Sequence, residues 1–154
     1  MANPHSSHYL DIGDLGEDLV AQWLQSTGWI ILHRRFSCRW GEIDIIAQYP
    51  NNFDTSTKNC ILAFVEVKTR SPKNWDAGGR SAVTLQKQAK IWQTAEIFLA
   101  KYPEKADYSC RFDVAIVGCQ EISKVTVNEE VLATSSASGY VFKLQEYIPG
   151  AFDS

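Results

Sequence analysis

Two short segments, Gly41-Glu42-Ile43-Asp44-Ile45-Ile46-Ala47 and Phe64-Val65-Glu66-Val67-Lys68-Thr69-Arg70, constrain this chain more than anything else in it. Both read as strands, and both carry charges inside otherwise apolar runs. Side chains alternate faces along a strand, so Glu42, Asp44 and Ile46 are expected on one face of the first run and Ile43, Ile45 and Ala47 on the other. In the second run Phe64, Glu66, Lys68 and Arg70 share a face, opposite Val65, Val67 and Thr69. Paired as a hairpin with the polar faces matched, the runs bring Asp44, Glu66 and Lys68 to one small area. Two carboxylates and an ammonium on rigid strands suit a hard divalent cation with a water positioned beside it, the chemistry of a metal-dependent phosphodiesterase. The competing reading is a structural ion pair, or charges that keep an edge strand from aggregating.

The rest of the chain is ordinary enough to make those charges stand out. With 154 residues, 45% hydrophobic and 21% charged, it suits one soluble domain, expected over residues 11–150 behind a short disordered lead-in at 1–10. No run of about 20 apolar residues is present to span a membrane. Met1 to His8 has neither the basic start nor the apolar centre of a signal peptide, so a cytoplasmic location is expected. Cys38, Cys60, Cys110 and Cys119 show no C-x-x-C spacing and read as reduced small hydrophobes. The three histidines are too scattered for a metal cluster. No nucleophile elbow, phosphate-binding loop or dinucleotide fingerprint is present.

The net charge of -3 argues against coating nucleic acid by bulk charge, but its distribution is uneven. Between Lys68 and Lys90, the cations Lys68, Arg70, Lys73, Arg80, Lys87 and Lys90 face Asp76 alone, a local balance of +5. His33-Arg34-Arg35 and Arg39 form a second basic stretch just before the first acidic strand. Cations beside carboxylates that would otherwise repel phosphate are what a phosphodiesterase requires. Each stretch taken alone also fits a solvated loop or helix face.

Asp14 to Thr27 has helical periodicity, with Asp14 as N-cap and Gly28 as stop. Trp29 to Phe36, Gly41 to Gln48, Cys60 to Arg70, Arg111 to Gly118 and Tyr140 to Ile148 read as strands, the last at an edge. Arg80 to Tyr102 reads as a second helix with Val83, Ile91, Ala95, Phe98 and Leu99 inward. Residues 119–138 give no clear pattern. The order α-β-β-β-α-β-β predicts a central mixed sheet flanked by helices, an α/β or α+β sandwich.

With the strands placed, Glu17, then G-E-I-D at 41–44, then F-V-E-V-K-T-R at 64–70, then Lys87 resembles the YraN-like family of uncharacterised bacterial proteins. That family is similar in turn to the PD-(D/E)xK nuclease superfamily, near the Holliday-junction resolvases. The likeness runs from about Asp14 to Gly118, and Ile43 stands where the superfamily's name has Pro. It implies an α/β fold with a restriction-endonuclease-like core, Mg²⁺ or Mn²⁺ as cofactor, and phosphodiester hydrolysis in DNA, at branched or junction structures. It also implies a homodimer, since a junction offers two symmetric cuts. Asp44 and Glu66 would be metal ligands with the Val67 carbonyl as a third, and Lys68 would orient the attacking water or offset transition-state charge.

Glu17 is either a third acid supporting the metal or the partner of Asp14 in a capping box. Lys87 is either a phosphate contact or an exposed helix lysine. Arg35, Arg70 and Lys73 complete the expected nucleic-acid contacts, with Trp40 and Trp75 as candidate stacking platforms. Glu42 is read at the mouth of the site, and Asp113 as a structural hydrogen-bonding group. The alternatives to a nuclease are a catalytically silent nucleic-acid-binding module of the same fold, or a partner-binding scaffold.

Overall fold

The computed structural model describes residues 4–50, 60–71, 83–125 and 130–152. Its elements are α1 (Pro4–Ser26), β1 (Ile30–Cys38), β2 (Gly41–Tyr49), β3 (Ile61–Arg70), α2 (Leu85–Lys101), β4 (Ser109–Glu121), β5 (Ala133–Ala137) and β6 (Tyr140–Phe152). Six strands form one sheet in the order β1-β2-β3-β4-β6-β5. Only β3 and β4 run parallel; every other neighbouring pair is antiparallel. The α2 crossover supplies the long connection that a parallel pair needs.

The helices cover opposite faces. Leu19, Val20, Ala21 and Leu24 of α1 bury with Ile45, Ala47, Ala63, Val65, Ala115, Val117, Phe142 and Leu144. Ile91, Ala95 and Phe98 of α2 bury with Phe36, Ile43, Ile46, Leu62, Phe64 and Phe112. This is the expected α/β architecture, a mixed sheet between helices, in keeping with a restriction-endonuclease-like core. Local chemistry ends both helices. Gly28 adopts φ +101, its N–H donates to Gln25 O and that of Trp29 to Leu24 O, a Schellman stop. The Thr84 side chain caps α2 by accepting from Lys87 N at 3.1 Å.

Several expectations need correction. Helix α1 starts at Pro4 rather than Asp14, so Asp14 and Glu17 lie inside the helix, where no capping box can form. Strand β6 is not an edge; β5, in the stretch without a clear pattern, closes the sheet beyond it. Helix α2 begins at Leu85, not Arg80.

The largest correction concerns face alternation. Ile45 packs under α1, whereas Ile43 and Ile46 both pack under α2, so Ile43 does not share a face with Ile45. On β1, Arg34 points to α1 through Glu17 and Asp18, while Phe36 lies under α2. The pairs Arg34–Ile45 and Phe36–Ile43 are in register. Alternation is therefore interrupted on both strands between the same two rungs, at Arg35 and Asp44. Arg35 has φ +55, a left-handed conformation uncommon for a non-glycine residue.

Candidate active site

The interruption places Asp44 where β2 and β3 part. Their pairing stops at Ile45–Val65, although β2 continues back to Gly41 and β3 forward to Arg70. Into that gap Asp44 turns its carboxylate, which accepts a hydrogen bond from Val67 N at 2.7 Å. The side chain thus takes the place of a missing strand partner. The N–H and C=O of one strand residue point to the same side, so the Val67 carbonyl faces the gap as well. From there Asp44 senses acids on both faces of the sheet. Its carboxyl is pushed up to about 7, first by burial and then by the charge of Glu66, with smaller contributions from Glu17 and Glu42, against the lowering effect of the Val67 N–H.

On the α2 side, Glu66 accepts from Lys87 Nζ at 2.6 Å. Thr84 sets this up: by capping α2 it fixes the first turn, from which Lys87 reaches across to β3. Burial pulls the Lys87 ammonium down, but its bond to Glu66 and the charges of Glu66 and Asp44 outweigh that and raise it. Lys68 shares this face. Burial, followed by the charge of Lys87, holds its ammonium below the ordinary lysine range. Arg70 adds a further positive charge next to Lys68, and its Nε is buried with no hydrogen-bond acceptor among the described residues.

On the α1 side, Glu17 is buried and doubly bridged. Arg34 Nε lies 2.7 Å from one carboxylate oxygen, and Arg35 Nε 3.4 Å from the other. Arg34 also meets Asp18 at 2.7 Å, and Arg35 pairs with Asp14. Glycine at position 16 lets α1 approach this closely, because a methyl there would overlap the Thr69 hydroxyl. Between α1 and the gap lies a cleft of about 420 Å³ lined by Gly13, Asp14, Glu17, Arg35, Glu42, Asp44, Val67 and Thr69. Glu42 is steadied there by Ser37 Oγ at 2.9 Å.

The expected residues are thus distributed around one gap. Asp44 lies in it, with Glu66, Lys68, Lys87 and Arg70 on the α2 side and Glu17, Arg35 and Glu42 on the α1 side. Lys73 and Trp75 fall outside the described residues. Trp40 is partly exposed at the β1–β2 turn, with the Arg39 guanidinium 4.8 Å from its ring. Sequence reasoning gave no role to Arg34, Asp18 or Thr69. An arginine pair preceding an acidic strand was the available signal for Arg34, but strict alternation would have sent Arg34 and Arg35 to opposite faces. Asp113 is fully buried and bonds Arg111, Tyr147 Oη at 2.6 Å and Gly150 N at 2.9 Å, the structural role expected of it.

Among the described residues, no group of three or more His, Cys, Asp or Glu side chains is gathered to hold a metal ion. Glu17 is held back by its two arginines. The donors at the gap are nonetheless hard oxygens: the Asp44 and Glu66 carboxylates and the Val67 carbonyl. That set fits Mg²⁺ or Mn²⁺, since magnesium commonly takes one or two carboxylates and keeps several waters. It does not fit a thiophilic or imidazole-seeking metal.

Comparison with known proteins gives consistent relatives. The profile of the uncharacterised protein family UPF0102 matches residues 16–117. A UPF0102 protein of Trichormus variabilis is 65% identical over 149 residues, covering 94% of this chain and 96% of the relative. One from a Nostoc species is 66% identical over 145 residues, with the same coverage. A third, from Trichodesmium erythraeum, is 48% identical over 165 residues, covering 95% and 91%. No helix among the described residues is long and apolar enough to cross a membrane.

Proposed function

The chain belongs to the uncharacterised protein family UPF0102, and we propose that it is a divalent-metal-dependent nuclease that hydrolyses phosphodiester bonds in DNA, at branched or junction structures. The family bears out the YraN-like resemblance; the wider nuclease kinship is part of the proposal. The observation that carries it is the gap between β2 and β3. Asp44 enters the gap bonded to Val67 N, and its carboxyl is driven upward by burial and by Glu66. Two acids forced together on a rigid frame, beside a lysine with a lowered pKa, are a functional arrangement more than a stabilising one.

Asp44, Glu66 and the Val67 carbonyl would hold Mg²⁺ or Mn²⁺. Such an ion, when bound, acidifies water and withdraws charge from a phosphate. Val67 N–H fixes the Asp44 carboxylate, so little reorganisation is needed when it ionises. Lys68, half-buried on the Glu66 side, orients the attacking water and offsets charge developing on the phosphate oxygens. Lys87 leaves Glu66 for a phosphate adjacent to the scissile one. Arg70, Arg35 and Lys73 hold the backbone on either side. At a four-way junction, with two symmetric cuts, the working form is a homodimer.

A specific observation favours one second reading, a nucleic-acid-binding module without turnover. Glu66 and Glu17 are already paired with protein cations, Lys87 in one case and Arg34 with Arg35 in the other. Incubation with duplex, single-stranded and four-way-junction DNA, with and without Mn²⁺, separates the two. Cleavage that needs Mn²⁺ and is lost in Asp44→Asn supports the nuclease. Binding without cleavage under any metal supports the module, and neither binding nor cleavage points to a protein-partner scaffold.

A further inference from the structure

The α1-side cleft has an unusual charge balance. Among the described residues, four carboxylates line it, those of Asp14, Glu17, Glu42 and Asp44, and the one cation in its lining is Arg35. The two arginines that meet Glu17 differ in how firmly they are held. Arg34 is in register with Ile45 and contacts Glu17 and Asp18 at 2.7 Å each. Arg35 sits in the left-handed backbone opposite Asp44, reaches Glu17 at 3.4 Å, and keeps 44% of its side chain exposed, against 35% for Arg34. Its pair with Asp14 is exposed on both sides, the kind that exchanges at little cost, and its reach to buried Glu17 is the longer of the two arginines'.

We infer that Arg35 is the exchangeable internal counter-ion of this cleft. Its guanidinium balances Asp14 and Glu17 while no divalent cation is bound, and it moves to a phosphodiester oxygen when cation and nucleic acid arrive together. This rests on the metal-dependent reading above and adds a regulatory coupling to it. By neutralising Asp14 and Glu17, Arg35 reduces the negative charge that a dication beside Asp44 would feel across the shared cleft, and so weakens binding of the cation alone. A phosphodiester that draws Arg35 away restores that charge, and by linkage the cation strengthens polyanion binding by the same factor. The left-handed residue gives this its geometry, because a regular strand would carry Arg35 to the face away from Glu17. Arg34, tied also to Asp18, stays with Glu17 and holds α1 to β1.

The test is Mn²⁺ affinity of the full chain at low salt, read from the resonance signal of free Mn²⁺, with and without a phosphorothioate oligonucleotide that resists cleavage. Arg35→Gln, checked for wild-type thermal stability, should bind Mn²⁺ alone about threefold to tenfold more tightly, a range set by the modest strength of exposed charge pairs. It should also lose most of the enhancement that the oligonucleotide gives the wild type. Glu17→Gln combined with Arg35→Gln should cancel the gain. If Arg35→Gln destabilises the fold, Arg35→Lys serves in its place, keeping the charge but lacking the fork that spans Asp14 and Glu17. It should fall between wild type and the Gln variant's expected values. Unchanged or weaker Mn²⁺ binding in a folded Arg35 variant overturns the exchange while leaving the metal site standing. Absence of any Mn²⁺ binding that Asp44→Asn abolishes overturns both.

Discussion

Asp44 makes a quantitative demand on how stability varies with pH. An ordinary aspartate titrates at 3.8, and in the folded chain Asp44 titrates at about 7. Below 3.8 the carboxyl is protonated in both folded and unfolded chains and costs nothing. Between those values the unfolded chain gives up its proton while the folded chain retains it, so folding stability falls as pH rises. Above about 7 the loss is complete. Each pH unit of displaced affinity is worth about 1.4 kcal/mol, giving an upper bound of roughly 4 kcal/mol. Partial exposure and coupling to Glu66 reduce this to about 2–3 kcal/mol. Asp44→Asn keeps the shape and an oxygen to accept from Val67 N, but cannot ionise. Without metal, the variant should match the wild type at pH 3 and exceed it by about 2 kcal/mol at pH 8. Urea unfolding in chelator at half-unit pH steps measures the difference. Saturating Mg²⁺ should then restore the wild type at pH 8 and leave the variant unmoved. A wild-type stability that rises or stays level from pH 5 to 8, with Asp44→Asn running parallel, would refute the reasoning.

Other changes probe separate contacts. Gly16→Ala should destabilise by about 1–3 kcal/mol through overlap with the Thr69 hydroxyl, and Thr69→Ala in the same chain should recover most of it, as read from the denaturation midpoint. Asp113→Ala leaves Arg111 without its buried partner and should cost about 3–5 kcal/mol, while Mn²⁺ affinity of the folded fraction stays unchanged. Glu66→Ala should eliminate cleavage yet leave nucleic-acid affinity equal or somewhat tighter, because a negative charge leaves a site that phosphate approaches. Replacing Arg70, Lys73 and Lys87 together should do the reverse, flattening the salt dependence of filter binding by up to about three phosphate contacts.

Much of the frame was legible because apolar periodicity governs it. Strands β2 and β3 begin and end within a residue of expectation, and Ile91, Ala95 and Phe98 are buried as the helical spacing requires. What escaped was local. The alternation rule holds along β3, where Glu66 follows Phe64 to the α2 side, and fails at Asp44 and Arg35, the two positions that matter most to the cleft. No propensity in Arg35 or Asp44 announces a left-handed residue or a strand that parts from its neighbour. The start of α1 escaped for the opposite reason. Pro4 suits the first turn of a helix, but the polar residues after it carry no apolar stripe to reveal one. Residues 133–137, Ala-Thr-Ser-Ser-Ala, are strand only because β6 lies beside them.

The buried carboxylate of Asp113 bears on how the chain finds this structure at all. Strands β4 and β6 pair through two irregularities, at Phe112/Val114 and Ile116/Val117, so the backbone ladder alone permits several alignments. Asp113 permits one. Its oxygens accept from the Tyr147 hydroxyl and the Gly150 amide at opposite ends of a short arc of β6, and burial with Asp113 keeps the Tyr147 phenol protonated to donate. A slip of one residue would strand a charge in the interior and turn Phe142 and Leu144 outward. The β5–β6 hairpin therefore docks as a key that fits in one position or is released. An undocked hairpin leaves β4 as an open apolar edge, Phe112 through Val117, in search of any strand that will complete it.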